Sequence, residues 1–548
     1  MAGIIGWEKY FILQKEDSSL RKITVLMLIF LVSVTLVPVG AFAGSTTPEP
    51  PKEAPGSWAE GPPPNRVDPA KPALLFVHGL NSSAEVWTKN NNDMLQRARD
   101  AGYQTATINL YDANGTSQDM WNNGKLLADK IKIISNHFGK KLIVIAHSKG
   151  GVDTQTALVY NGAAPYVQRV ITLSSPHHGS QLADLAYSSW AGWLADIIGS
   201  QNPGTSTLQT SYMKYFRSKT DALSNATTIP FFTFAGDNWS DGTASYILGG
   251  LYLSTFGKND GVVTVDNAKL PGGRVVKIGP WNHAKVRTGS YVFSLIQPYL
   301  QANTPSLNQE AEALSAASSL TASALQSSYS EIDNSYFIRG GDYNGQASEI
   351  LTVENGVKSI DLDWISDKRV SQLELIKPDG TREIINLKTG YDDGIFAGAW
   401  HHNAVIQNPK PGTYKLNATL ADQGAYLLIA RYHAVQVPEL KYKLNAVGPK
   451  LNLEPQDSKD STNSVTQVTC QVQYYGDPQQ GTPLAPKGLT LQQKTVKPTG
   501  QIELSKADKP GLYSVTYEIN GTTEAGYPYR RTAVQSIYID ADGNKYVH

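Results

Sequence analysis

The run Lys141-Leu142-Ile143-Val144-Ile145 leads directly into Ala146-His147-Ser148-Lys149-Gly150-Gly151, and residues 152–160 continue with helical spacing. A short β-branched strand, a tight turn with serine at its apex and a helix form the setting in which A/G-x-S-x-G means a nucleophile elbow. Such a turn forces the flanking backbones together, so only small residues fit two positions either side of Ser148. Ala146 and Gly150 stand there. The hydroxyl is thereby raised to the top of a sheet, with a helix N-terminus behind it that favours developing negative charge. A chance serine in a strand-to-helix turn is the competing reading, and the flanking strand and helix tell against it.

The alternation extends in both directions. Residues 73–78 read as a buried strand, and Ser82-x-x-Glu85 as a capping box opening a helix to about Asp100. Strands follow at 104–109, 141–146 and 167–173, with a helix at 117–138. Strands separated by helices predict an α/β architecture, a doubly wound, mostly parallel sheet, over residues 71–302. Residues 303–330 are Ala/Ser-rich and read as a connector. Beyond them period-two runs alternate with Gly, Asp and Pro turns, which predicts two β-sandwich-like domains at 331–437 and 438–548. Two segments there echo each other, Lys410-Pro-Gly-Thr-Tyr414 and Lys509-Pro-Gly-Leu-Tyr513.

The chain has 548 residues, with 48 basic and 48 acidic side chains and no sustained basic block, so nothing recommends nucleic acid as a partner. Arg21-Lys22, an uncharged run to Gly40 and Ala41-Phe42-Ala43 describe a signal peptide over residues 1–43. A secreted protein is expected, without stable membrane insertion after cleavage. Residues 44–70 are a Pro-rich linker. The single Cys470 excludes an intramolecular disulfide and reads as a buried strand residue.

A serine hydroxyl attacks only when a base takes its proton and an acid orients the base. In this strand–turn–helix setting acid and base follow the serine in that order. His177 and His178 come directly after the next strand, leaving no room for an acid-bearing strand before them. His283, in Trp281-Asn282-His283, sits in a loop between a strand and a helix and suits the base. Asp260 in Asn259-Asp260-Gly261 is the preferred acid, Asp237 its rival, and an ordinary turn aspartate the bland reading of each. The oxyanion donors are expected to be the backbone N–H groups of Lys149 and Leu80, the latter in Val77-His78-Gly79-Leu80. Gly79 lets that backbone approach the reacting carbonyl. His78 is expected to brace the loop, and the Lys149 side chain to be a solvated rim charge. His401-His402 lack ligand spacing and read as strand or turn residues.

Residues 73–301 resemble the secreted bacterial triacylglycerol lipases of the true-lipase group, within the α/β-hydrolases. The matching pieces are Phe-Val-His-Gly-Leu at 76–80, Ala-His-Ser-Lys-Gly-Gly at 146–151, Ser-Pro-His-His-Gly-Ser at 175–180, Asn-Asp-Gly-Val-Val at 259–263 and Trp-Asn-His at 281–283. The resemblance implies Ser148, Asp260 and His283 as a triad and an ester hydrolase that needs no cofactor. It covers under half the chain. Relatives of this group often carry a calcium-binding aspartate two residues after the histidine; Lys285 stands here, so no metal is expected.

Trp190, Trp193, Leu194, Ile197 and Ile198 fall on one face of a helix. That helix reads equally as a lid meeting a lipid surface or as a fixed cap. The expected activity is cleavage of lipid-type acyl esters through an acyl-enzyme on Ser148. The alternatives are a depolymerase of aliphatic polyesters with the same triad, and a surface-binding protein whose hydrolase domain is vestigial.

Overall fold

The computed structural model describes residues 54–301, apart from 90 and 242–243, and residues 329–547, apart from 333–334, 393, 435–441, 448–449, 456–464, 481–487, 497–500 and 504–508. The expected signal peptide, the first ten residues of the Pro-rich linker, nearly all of the Ala/Ser-rich connector and the boundary at 437/438 lie outside the described residues.

Seven strands form the first sheet: β1 (Trp58–Glu60), β2 (Ala73–Val77), β3 (Thr105–Ile108), β4 (Leu142–His147), β5 (Val167–Leu173), β6 (Phe231–Gly236) and β7 (Arg274–Gly279). Their order is β1-β3-β2-β4-β5-β6-β7. The pairings from β3 to β7 are parallel, and β1 adds antiparallel at one edge. β2, β3 and β4 are buried along their whole length, because helices cover both faces. One apolar layer joins Leu75, Val77, Val144 and Ala157; the opposite one joins Leu74, Phe76, Ile145, Phe234 and Val292. The α/β expectation is met.

The capping box at Ser82 fares differently. Instead of one helix to Asp100 there is a 3-10 turn at Ala84–Trp87 and a separate helix at Met94–Asp100. Ser83 makes no side-chain cap, and Asn91 lies between the two with φ of 61°. Asparagine tolerates that left-handed backbone and the local turn it makes, so Asn91 breaks the helix.

Three antiparallel sheets follow. A seven-stranded sheet is built around the strands Tyr336–Val353, Val357–Ser366, Trp400–Gln407 and Gly412–Ala434. A four-stranded sheet pairs Tyr442–Val447 with both Lys450–Pro455 and Tyr329–Ile332. A five-stranded sheet centres on Val465–Gly476, Gly511–Thr522 and Pro528–Ile539. Cys470 is buried in it. The two echoing Pro-Gly segments take one local form: the Tyr414 hydroxyl donates to the Lys410 carbonyl at 3.0 Å, and that of Tyr513 to Lys509 at 2.7 Å. Each tyrosine ties the incoming turn to the strand it opens, as at the corner of a sandwich.

The seven-stranded antiparallel sheet and the five-stranded one pack on helices of the α/β part. Leu194, Tyr212 and Phe216 share one apolar core with Tyr336, Leu427, Tyr475 and Tyr538. The lid candidates lie at this junction. A helix forms at Gly192–Ile198, with Trp190 ahead of it. Leu194 is buried, Trp190 and Ile198 are half-buried, and Trp193 and Ile197 are 40% and 52% exposed, so the five do not share one environment. The Trp190 indole N–H donates to Glu518 at 2.6 Å, and the Arg339 guanidinium lies 4.7 Å over its ring. A Cβ on Gly340 would come within 2.1 Å of the Trp190 carbonyl, so the two backbones are in direct contact. Trp190 and Leu194 thus pack against residues of the β sheets.

Candidate active site

β4 ends at His147, and Ser148 turns the chain into the helix Lys149–Tyr160 with φ of 55° and ψ of −135°. Few L-residues adopt this backbone, and such strain is kept where the surrounding structure over-determines it. The small neighbours have the role their spacing implied. A Cβ on Gly150 would lie 2.3 Å from the His78 carbonyl, and one on Gly79 would lie 2.6 Å from Ser148 Cβ. Both glycines are therefore required by close approach of the β2 loop to the serine turn.

His283 follows β7 and packs beside this turn. Its Nδ1 lies 2.8 Å from Asp260 Oδ2. Asp260 is fully buried, and its other oxygen accepts the N–H groups of Val262 and Val263 at 2.9 and 2.8 Å. With Oδ1 occupied by backbone donors, Oδ2 is left aimed at the imidazole, and Nδ1 carries the proton it donates. Asp237 is elsewhere, 3.5 Å from the Lys258 ammonium. Of the two aspartates, Asp260 is the one in contact with the His283 ring.

Ser148 and His283 line one cavity of about 310 Å³. Its apolar wall includes Leu80, Leu208, Tyr246, Val262 and Val263, while Glu85, Lys89 and Arg287 stand around it as charged groups. None of the five lid candidates lines it.

His78 braces the loop after β2 in a specific way. The Leu110 N–H donates to His78 Nε2 at 2.9 Å, so Nδ1 bears the ring proton and donates to the Gly79 carbonyl at 2.9 Å. Burial holds this imidazole below its ordinary pKa and keeps it neutral. A peptide unit is planar and trans, so fixing the Gly79 carbonyl also fixes the direction of the Leu80 N–H.

Several functional neighbours carried no clear signal in the sequence. His147 Nε2 faces the His283 carbonyl at 2.9 Å, and the two rings lie 4.6 Å apart. Burial holds His147 well below the ordinary histidine range, so it steadies the His283 loop as a neutral donor. The Lys149 side chain is not a solvated rim charge. It is fully buried and ion-paired to Asp153 and Asp112, since the helix turns it away from the cavity and towards two carboxylates. Gly394 and Ile395, more than a hundred residues beyond His283, also line the cavity, and the Asn81 amide donates to the Gly394 carbonyl at 3.1 Å. Only the i,i+4 spacing of Lys149 and Asp153 was visible beforehand.

Lys285 forms an ion pair with Asp241, and Asn282 Oδ1 accepts the N–H groups of Ala284 and Lys285 at 3.1 and 2.9 Å. The ammonium thus ties the histidine loop to Asp241. Among the described residues no three His, Cys, Asp or Glu side chains converge to hold a metal ion. His401 and His402 lie in a strand, both buried, with His401 between Asp363 and Asp392 at 2.7 and 2.9 Å.

Residues 49–202 match the model of a domain of unknown function, DUF7379. A comparison with curated proteins found no match. Among solved structures, the chain resembles the propeptide form of Bacillus licheniformis lipase BlEst2 at 33% identity, over 90% of this chain and 100% of that one, with a TM-score of 0.72. The mature form of the same lipase is 46% identical over 45% of this chain and 99% of that one, with a TM-score of 0.43. Identity of this level along the full length of a solved relative, on a shared α/β-hydrolase sheet, places the chain in the family of lipase-like α/β-hydrolases to which Bacillus licheniformis lipase BlEst2 belongs.

Proposed function

We propose that the protein is a serine carboxylester hydrolase acting on lipid-type acyl esters, with Ser148 as nucleophile, His283 as base and Asp260 as orienting acid. The observation that carries this is the 2.8 Å contact between His283 Nδ1 and Asp260 Oδ2, on an imidazole that shares its cavity with Ser148. Ser148 Oγ adds to the acyl carbonyl while His283 Nε2 takes its proton. Asp260 stabilises the imidazolium that forms. The carbonyl oxygen becomes an oxyanion between the N–H groups of Leu80 and Lys149, the larger part of the rate gain in such sites. His283 then returns the proton to the departing alcohol, leaving an acyl-enzyme on Ser148. Water, deprotonated by the same imidazole, releases the acid and restores the serine. The mostly apolar wall suits one acyl chain of a lipid-type ester better than a charged substrate. Together with the leader-like segment at residues 1–43, this supports a secreted enzyme acting on external esters.

Ser148→Ala is expected to lower turnover of p-nitrophenyl esters by about 10⁴-fold or more in a protein that still folds. Near wild-type hydrolysis in the purified variant would sink the assignment. Profiles on short-chain esters, triglyceride emulsions and polyester films separate lipase from polyester depolymerase.

A second reading has its own observation. Gly394 and Ile395 come from a loop of the seven-stranded antiparallel sheet yet line the cavity around Ser148, and the solved relative that aligns over 90% of the chain is a propeptide form. On this reading the β sheets are a propeptide that narrows access to the site until it is removed.

A further inference from the structure

The helix behind Ser148 carries buried charges that the acyl-transfer steps do not use. Lys149 Nζ donates to the two oxygens of Asp153 at 3.0 and 2.9 Å and to Asp112 Oδ2 at 3.3 Å. Asn123 joins the same carboxylates, donating to Asp112 at 2.6 Å and to Asp153 at 3.3 Å, while its carbonyl oxygen accepts the Tyr111 N–H at 3.2 Å. All four side chains are buried.

Such a cluster is a poor way to gain stability. Ions taken out of water repay their desolvation only with complete pairing, and apolar residues of like volume often serve as well or better. Pairing here is incomplete, since Asp112 Oδ1 is buried without a hydrogen-bond partner. Burial drives the Asp153 carboxyl up to about 8 against the pull of Lys149, a further sign of a costly site.

The cluster does connect the two oxyanion donors. One is the backbone N–H of Lys149 itself. From its side chain the contacts run to Asp112 in the turn Tyr111–Asn114, back along the chain to the Leu110 N–H, across to His78 and on to the Gly79–Leu80 peptide. The same turn places Ala113 in the cavity wall. Two donors stabilise an oxyanion only while both aim at one point, and small displacements of either are costly.

We propose that Lys149 is a positioning residue for acyl transfer, whose buried ammonium ties the nucleophile helix to the 111–114 turn and so holds the N–H groups of Leu80 and Lys149 at one spacing. This rests on the reading of Ser148 as nucleophile.

The test uses the full chain, with Lys149→Met, which keeps length without charge, and Asp112→Asn, which keeps the Lys149–Asp153 pair. Active sites are counted by phosphonate titration below each variant's unfolding transition. kcat and KM are then measured on p-nitrophenyl butyrate, together with affinity for an alkyl boronic acid, whose tetrahedral adduct occupies the oxyanion position. Lys149→Met is expected to lower kcat per titrated site about 10- to 100-fold and Asp112→Asn about 3- to 10-fold, with KM within about twofold and boronate affinity falling in step. Values of kcat per site and boronate affinity within about twofold of wild type would reduce the cluster to a structural one and overturn the proposal. Should Lys149→Met fail to fold, Asp112→Asn decides on the same criteria. Ser148→Ala in parallel separates the two failures: hydrolysis surviving there defeats the nucleophile reading itself.

Discussion

Asp260 and Asp237 both stand in Gly-containing turns, and nothing in their local sequence ranks them decisively. What separates them is the third dimension. Asp260 spends one oxygen on two backbone N–H groups and the other on His283, whereas Asp237 faces Lys258. Asp260→Asn is therefore expected to lower kcat/KM by about 10³- to 10⁴-fold, because an amide holds the wrong imidazole tautomer and cannot stabilise the imidazolium. Asp237→Asn should change it by less than about threefold, as for an exposed ion pair. A larger loss in Asp237→Asn would show the acid to be misassigned. At the same scale Lys149 shows the limit of reading charge as exposure. A lysine beside a strained serine looks like a rim residue until the helix register turns it onto two carboxylates.

At the scale of elements, the loop between the strands Lys388–Tyr391 and Trp400–Gln407 is the one that reaches the cavity. Asp392 shapes it, accepting the Gly394 N–H at 2.5 Å, and His401 anchors Asp392 from the adjoining strand. Both ring nitrogens of His401 face carboxylates, so both carry protons and the group is an imidazolium. Burial alone would lower its pKa, but Asp363 and Asp392 outweigh burial and raise it to about 10. A folded-state pKa above the unfolded value of 6.5 contributes stability in full below that value and loses it as pH rises through about 10. His401→Gln is accordingly expected to cost about 3–5 kcal/mol at pH 7, leaving two carboxylates without a cation. The gap to wild type should narrow as pH rises from about 6.5 and lose the charge-dependent part by about 10. Denaturant melts of both proteins between pH 6 and 10.5 check this, and a gap independent of pH would exclude a charged His401.

For the whole molecule, completeness of the α/β sheet by Gln301 suggests an independent catalytic unit, whereas the packing shows that unit sharing a core with the β sheets. A chain ending at 301, or one cleaved in the connector, loses Ile395 from the cavity and uncovers Leu194, Tyr212 and Phe216. Its kcat/KM on long-chain esters is expected to rise relative to the full chain, with a greater tendency to aggregate through the bared apolar face. Assays of both forms alongside light scattering decide the matter; a monomeric truncation with unchanged or lower activity on every ester would remove the propeptide reading.

The strand–turn–helix around Ser148, its small neighbours and the parallel α/β order were legible in the residues, because elbows and buried strands impose local rules that few sequences satisfy. The helix expected from Ser82 to Asp100 failed where Asn91 took a left-handed backbone, a local rule that outweighed the capping pattern. The lid helix was legible as an apolar stripe, but whether such a stripe meets lipid or protein depends on what packs on it, and strands almost 150 residues away do so here. Ile395 at the cavity, Lys149 among carboxylates and His401 between two aspartates were likewise beyond reach. Contacts between residues far apart in the chain follow from how whole layers dock, and no spacing along the sequence encodes them.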